Sequence, residues 1–370
     1  MMTLVVFVLL LGLLIFVHEL GHFVVARRNG ITCHEFGFGF PPRLVGLVKD
    51  NGKWRIIGGK DKKEYRGTIY SLNWIPLGGF VRIKGEDGQD RAPDSFAAKS
   101  AWVRFKVLVA GVFMNALLAW VLFSLALTLG MPEAVSPEEE ADVSVLAVSV
   151  DSAAMKMGLR MGDVLRSGCL EGECRDFSKI SDLQDFIAAA AGREVILRGL
   201  RGREEIDWRG TLPERAPEGK GLLGVQLAAT KVVSYSLPEA VSAGAESTYR
   251  ALGMIFVEFG RLVGRLVRGE AVGESVVGLV GIAVFSGQAA EMGPAYLAHF
   301  AAILSANLAV LNILPIPALD GGRILFLLIE VLRRGRPMSR RWEGYAHGIS
   351  FLLLLALMIV ITVLDLLRYF

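Results

Sequence analysis

Three ionisable residues stand in the stretch Phe16-Val-His18-Glu19-Leu-Gly-His22-Phe23, and from Thr3 to Ala26 nothing else is charged. On a helix His18 and His22, four positions apart, project from one face about one turn apart, so both imidazoles can grip the same ion. Two imidazole nitrogens suit zinc, and an adjacent carboxylate outside the ligand set, Glu19, can take a proton from an attacking water. This is the H-E-x-x-H arrangement of a metallohydrolase. Burying such groups in a membrane-length apolar run costs several kcal/mol unless they are paired or bind something, which marks them as functional.

The elements that must position them follow from hydropathy. Of the 370 residues 53% are hydrophobic, and the mean hydropathy of +0.47 points to membrane spans rather than a large soluble core. Residues 1–26 form the first span, 107–130 the second, 296–332 the third and 348–367 the fourth. The net charge of +3 says little, and no nucleic-acid partner is expected. Asn115, the strongly polar residue of the second span, reads as helix-to-helix glue beside a neighbour of the active site.

The third span is interrupted by Asn312-Ile-Leu-Pro315-Ile-Pro317-Ala-Leu-Asp320-Gly321-Gly322. Two prolines and two glycines break a helix at a depth where irregular backbone is tolerated only along a protein cavity. Asp320 sits in that break. It needs a cation, and the His18/His22 pair lacks a third ligand, so Asp320 completes the site; pairing with Arg323 is the alternative.

Between the first two spans, residues 27–106 are rich in Lys and Arg and turn to strand patterns. Phe36-Gly-Phe-Gly-Phe40 alternates with period two and stops at Pro41-Pro42; Tyr65 to Tyr70 and Gly79 to Lys84 alternate likewise. The expectation is a β-hairpin region dipping into the membrane interface, with an exposed edge at Phe36, Gly37, Phe38 and Gly39 to which an extended substrate adds as a strand.

Residues 141–229 follow an acidic linker, Pro132 to Glu140. They read as a strand at 143–150, a short helix at 152–157, a turn, a strand at Val164-Leu165, an amphipathic helix from Ser181 (its cap) to Ala190, and a strand at 194–198. The order of elements resembles a PDZ domain of the bacterial protease type, a fold that takes an extended tail beside a strand. Cys169 and Cys174 bridge a hairpin or remain free thiols. Residues 230–295 hold an amphipathic helix lying at an interface, and 333–347 form a basic loop. Dense Lys and Arg in the first and third connections place both termini and the 141–229 section outside the cytoplasm.

Taken together, the chain resembles the site-2 protease family of intramembrane zinc metalloproteases, close to the bacterial RseP type but with a single PDZ domain. The carriers are His18-Glu19-Leu-Gly-His22, the Phe-Gly hairpin, Pro76-Leu-Gly-Gly-Phe-Val-Arg-Ile-Lys-Gly-Glu86, the PDZ-like string and Asn312 to Gly322. The resemblance implies a polytopic α-helical membrane protein of about four spans, with a membrane-associated hairpin region and one extracytoplasmic PDZ-like α+β domain. It implies one zinc per chain held by His18, His22 and Asp320, Glu19 as general base, Asn312 supporting the substrate or its oxyanion, and the hairpin as the strand-adding surface. The implied substrates are spans of single-span proteins, such as anti-sigma factors or remnant signal peptides, within a bacterial cytoplasmic membrane, with the PDZ-like domain binding or screening their tails. The family's Gly-Pro-x-x-Asn appears as Gly111-Val-Phe-Met-Asn115 and its Gly-Pro before the third span as Gly278-Leu-Val, which bears on substrate choice and gating. Two other classes fit the same residues: a metal transporter, and a catalytically silent membrane protein that binds through its PDZ-like section.

Overall fold

With no proline and no charge besides the three site residues between Thr3 and Ala26, the first apolar run winds into one helix, α1 (Met2–Arg28), which ends as the chain turns at Gly30 with a φ of 65°. The structure is a computed structural model that describes residues 2–369 except 62, 64, 87, 89, 150, 203, 217–220, 271–276 and 337. After α1 come strands β1 (Cys33–Asp50), β2 (Lys53–Gly58) and β3 (Ile69–Ile83), helix α2 (Ala101–Leu129), strands β4 (Met131–Ala134) and β5 (Asp142–Val148), and helix α3 (Ala153–Met157). Strands β6 (Val164–Leu170) and β7 (Glu173–Asp176), helix α4 (Ile180–Ala189), and strands β8 (Glu194–Arg201), β9 (Glu204–Thr211) and β10 (Val225–Val233) follow. Helices α5 (Leu237–Val267), α6 (Leu279–Met292), α7 (Pro294–Ile313), α8 (Asp320–Leu332) and α9 (Arg340–Tyr369) close the chain.

These elements divide into two compact units, one of Met1–Ser124, Val241–Gly287 and Ala298–Phe370, the other of Leu125–Ala240 and Gln288–Leu297. Among the described residues, four helices are long and apolar enough to cross a membrane: Met2–Arg28, Ala101–Leu129, Pro294–Ile313 and Arg341–Leu367.

In the first unit, β1 to β3 form a curled antiparallel sheet in the order β2-β1-β3. β3 is long enough to flank β1 twice. Phe36, Gly37 and Phe38 pair with Val81, Phe80 and Gly79 on one side and with Tyr70, Ser71 and Leu72 on the other. The exposed edge expected at Phe36–Gly39 is therefore absent over Phe36–Phe38; the side of Gly79–Ile83 away from β1 is the open one among the described residues. Phe36 stacks on Phe23, with ring centroids 4.7 Å apart, and Phe38 packs against Phe16 at 5.8 Å. A Cβ at Gly37 would press on Ser71 Oγ and Phe80 at 2.6 Å. The Phe-Gly alternation thus lets the phenylalanines clamp α1 while the glycines let the sheet close on itself. Pro41-Pro42 does not end β1 but lies at its bend, β2 was not legible, and β3 begins at Ile69 rather than Tyr65.

Elsewhere in this unit, α2 and α7 meet through small residues, with Ala119, Ala302 and Ala306 unexposed, the close approach that stabilises helix pairs in lipid. α2 starts six residues before the expected span, the region 230–295 holds a second helix, α6, after α5, and α9 starts inside the expected basic loop, where Arg340 and Arg341 open the helix.

In the second unit, a seven-stranded antiparallel sheet runs β4-β10-β5-β6-β8-β9 with β7 beside β6. Its core gathers Val143, Val145, Leu165, Leu183, Leu197 and Trp208. Ser152 caps α3 by accepting from the Met155 amide, as a Ser at that position does. α4 is preceded by Lys179 rather than capped by Ser181, and the Asp182 carboxylate accepts from the backbone amides of Ser178 and Lys179. Val150, at the end of the expected first strand, lies outside the described residues. Cys169 and Cys174 face each other across β6 and β7 and form a disulfide.

Candidate metal centre

The break expected at 312–322 is real: α7 ends at Ile313, α8 begins at Asp320, and Pro315 and Pro317 lie between. A Cβ at Gly321 or Gly322 would strike the backbone of Ile313, Leu314 or Ile316, so the two glycines let the start of α8 nest against the broken segment. That nesting sets Asp320 in the first turn of α8, where the positive end of the helix favours a carboxylate.

From there Asp320 Oδ2 lies 3.0 Å from His18 Nε2 and 3.2 Å from His22 Nε2, and the two Nε2 atoms are 3.1 Å apart. Residues about three hundred positions apart in sequence thus converge. A tetrahedral zinc with bonds of about 2.1 Å would hold its donors roughly 3.4 Å from one another, so the near-equilateral triangle is close to the size that three ligands of one zinc ion would need. Asp320 Oδ2 is buried and has no hydrogen-bond partner outside this triangle. Arg323, the alternative partner of Asp320, pairs instead with Glu86.

The imidazoles are held from behind by α2. His22 Nδ1 lies 2.8 Å from the Val107 carbonyl oxygen. A carbonyl only accepts, so Nδ1 carries the proton and Nε2 presents its lone pair to the triangle. One turn on, a Cβ at Gly111 would meet His18 Cε1 and Nε2 at 2.6 and 2.7 Å and also His22 Nε2, so α2 approaches this closely because that position has no side chain. Another turn on, the Asn115 amide lies 3.3 Å from His18 Nδ1. Spacing of four along α2 brings all three to one face.

A cavity of about 320 Å³ opens beside the triangle, lined among others by Glu19, Asn312, Gly79, Phe80 and Phe40. The structure therefore brings together His18, Glu19, His22, Asn312 and Asp320. It does not bring Phe36, Gly37, Phe38 or Gly39 to this wall; the strand that lines it is Gly79 to Ile83. That strand and Gly111 were missed as site residues. The signal for Gly111 was its place four residues before Asn115 in a span that must pass two imidazoles. Cys33 lies outside the three-donor cluster, and burial pushes its thiol up to about 11.

A family profile described as Peptidase family M50 matches residues 6–58 and 61–357. The chain belongs to peptidase family M50. A putative zinc metalloprotease of Nostoc sp. PCC 7120 is 34% identical over 98% of this chain and 96% of its own length. Zinc metalloprotease RasP of Bacillus licheniformis is 28% identical across the full length of both. The regulator of sigma-W protease RasP of Bacillus subtilis is 27% identical over 100% of this chain and 99% of its own. This M50 peptidase is a multi-pass membrane metalloprotease that uses zinc, and its three-donor triangle fits that ion.

Proposed function

We propose that this M50 peptidase cuts peptide bonds within the membrane-spanning segments of single-span proteins, with His18, His22 and Asp320 holding one zinc ion and Glu19 as general base. The convergence of His18, His22 and Asp320 within 3.2 Å of one another on a cavity shared with Glu19 carries the reading. The zinc these residues would hold would supply Lewis-acid polarisation of the scissile carbonyl and acidify water. Glu19 takes the proton of the attacking water and returns it to the leaving amine, a role that fits its position beside His18 on the cavity wall. The Asn312 side chain donates to the oxygen on which charge develops.

A span is shielded by its own helical hydrogen bonds, so the substrate unwinds before it is cut. The open side of Gly79–Ile83 offers unpaired backbone groups along the cavity, and an added substrate strand there satisfies the backbone groups that unwinding frees. Phe36 to Gly39 support this strand from behind.

Residues 141–229 act as a PDZ-like domain. A groove of about 670 Å³ runs between α4 and β10, lined by Ile180, Ser181, Gln184, Val225 and Leu227. β4 pairs with β10 only over Thr230–Val233, which leaves the outer side of 225–228 available to an extended tail. The disulfide Cys169–Cys174 supports an extracytoplasmic location for this domain, since such bonds persist in oxidising compartments, and the dense Lys and Arg of the first and third connections favour the same side for both termini. The likeness to the regulator of sigma-W protease RasP of Bacillus subtilis favours anti-sigma factors as a substrate class.

Purified protein is to be tested on a model single-span substrate beside Glu19→Gln and with a chelator, and metal content per chain compared with Asp320→Ala. Cleavage lost in all three, with zinc kept in Glu19→Gln and lost in Asp320→Ala, is the expected result. A wild type that cuts no helix-destabilised span, or zinc movement that survives Glu19→Gln without any cleavage, defeats the reading.

A further inference from the structure

The two candidate histidines are oriented by different kinds of group. His22 Nδ1 is fixed by a backbone carbonyl, Val107 O at 2.8 Å, which admits one hydrogen-bond polarity. His18 Nδ1 faces the side-chain amide of Asn115, placed with Nδ2 3.3 Å away. An amide presents a donor and an acceptor of nearly the same shape, and a half-turn exchanges them. Asn115 is fully buried, and its Oδ1 has no hydrogen-bond partner.

We propose that Asn115 is the positioning residue of His18: its side-chain oxygen accepts the Nδ1 proton, so that the Nε2 lone pair is directed at zinc. The argument rests on His18 being a ligand. A ring nitrogen that binds a cation carries no proton, so the proton of neutral His18 sits on Nδ1 and needs an acceptor. The Asn115 side chain is the group found at that atom. With the oxygen turned inward, the otherwise unpartnered Oδ1 gains its donor. The opposite orientation, with Nδ2 toward the ring, suits the other tautomer, in which Nε2 donates to Asp320 Oδ2 at 3.0 Å. Asn115 therefore matches either tautomer of His18, whereas Val107 holds His22 in one. Its backbone oxygen is separately engaged by the Ser305 hydroxyl at 2.8 Å, which anchors α2 to α7 and leaves the side chain free for this task.

The test is zinc affinity, measured by chelator competition on the purified full chain in detergent, together with the visible spectrum of the cobalt-loaded protein. Asn115→Leu keeps the volume and removes the acceptor, and is expected to weaken zinc about 10- to 100-fold and alter the cobalt spectrum. Asn115→Asp restores an acceptor and is expected to hold zinc within about threefold of wild type, which general packing loss would not explain. If Asn115→Leu does not purify as a monodisperse protein, Asn115→Ala takes its place with the same expected loss. Wild-type affinity in the variant without an acceptor, or equal losses in it and in Asn115→Asp, overturns the proposal. His18→Ala separates the two levels: unchanged zinc binding there defeats the ligand assignment itself, whereas lost binding there beside wild-type binding in Asn115→Leu defeats the positioning role alone.

Discussion

In the unit of Leu125–Ala240 and Gln288–Leu297, large side chains fill one continuous core, Leu165, Leu183, Leu197 and Val195 among them. In the unit that carries the candidate metal ligands, the close approaches between helices run through small residues, among them Gly21, Gly111, Ala119, Ala302 and Ala306. A water-facing domain is held by removing apolar area from water, a drive missing between helices surrounded by lipid, where close approach and a few polar contacts take over. The consequence is a difference in what a mutation breaks. Removing a methylene group in the α/β unit lowers stability; adding a methyl group behind the imidazoles removes chemistry.

Gly111→Ala is the sharpest probe of that contrast. The new methyl group meets both imidazoles, so zinc binding is expected to weaken by about 100-fold or more and cleavage to fall to background, while the helices stay folded. Metal content and circular dichroism measured on the same sample decide it; full zinc occupancy would show that α2 can back away at little cost. The counterpart is Leu183→Ala, expected to destabilise the α/β unit by about 2–5 kcal/mol through the cavity it leaves, with zinc content unchanged. A parallel loss of zinc would mean that the two units do not divide the labour this way. Opening the Cys169–Cys174 bridge by Cys174→Ser is expected to cost less, about 2 kcal/mol, because the closed loop is short. Thermal melts under reducing and non-reducing conditions check it.

What could be read from the sequence follows the same divide. Lipid-length apolar runs make every polar residue conspicuous, so His18, Glu19, His22, Asn312 and Asp320 stood out from a background that holds almost nothing else polar. The sheet was harder. Phe36-Gly-Phe-Gly-Phe40 and Gly79 to Lys84 both read as strands, yet which of them is the inner one depends on β3 curling past β1 on both sides, a long-range pairing that no local pattern encodes. Strands β9, β10 and β4 were missed because half-buried strands with interspersed charge look like loops when their partners are unknown. Gly111 escaped because a glycine signals close approach only once the approaching group is known.

The smallest expected effect lies in the curled sheet, which has a polar device of its own. Glu35 is buried beneath Arg43, which donates to both its carboxylate oxygens at 2.9 Å, and beside Arg82 at 2.8 Å. Burial pushes the Glu35 carboxyl up, but the Arg43 and Ser71 hydrogen bonds and the two arginine charges outweigh it and hold the group below the usual carboxylate range. The folded sheet therefore binds this proton less readily than the unfolded chain. Its stabilisation is complete above the ordinary carboxylate pKa and disappears as pH falls through the lowered value. Wild type is expected to melt a few degrees above Glu35→Gln at pH 7, with the gap narrowing as the pH drops under about 4 and closing once it passes the lowered pKa, where both side chains are neutral. Taking the difference between the two proteins cancels the other carboxylates that titrate in the same range. A gap that stays constant across that range would mean that Arg43 and Arg82 hold the neutral side chain as well as the charged one, and that the curl of β1 against β3 owes nothing to the ion pair.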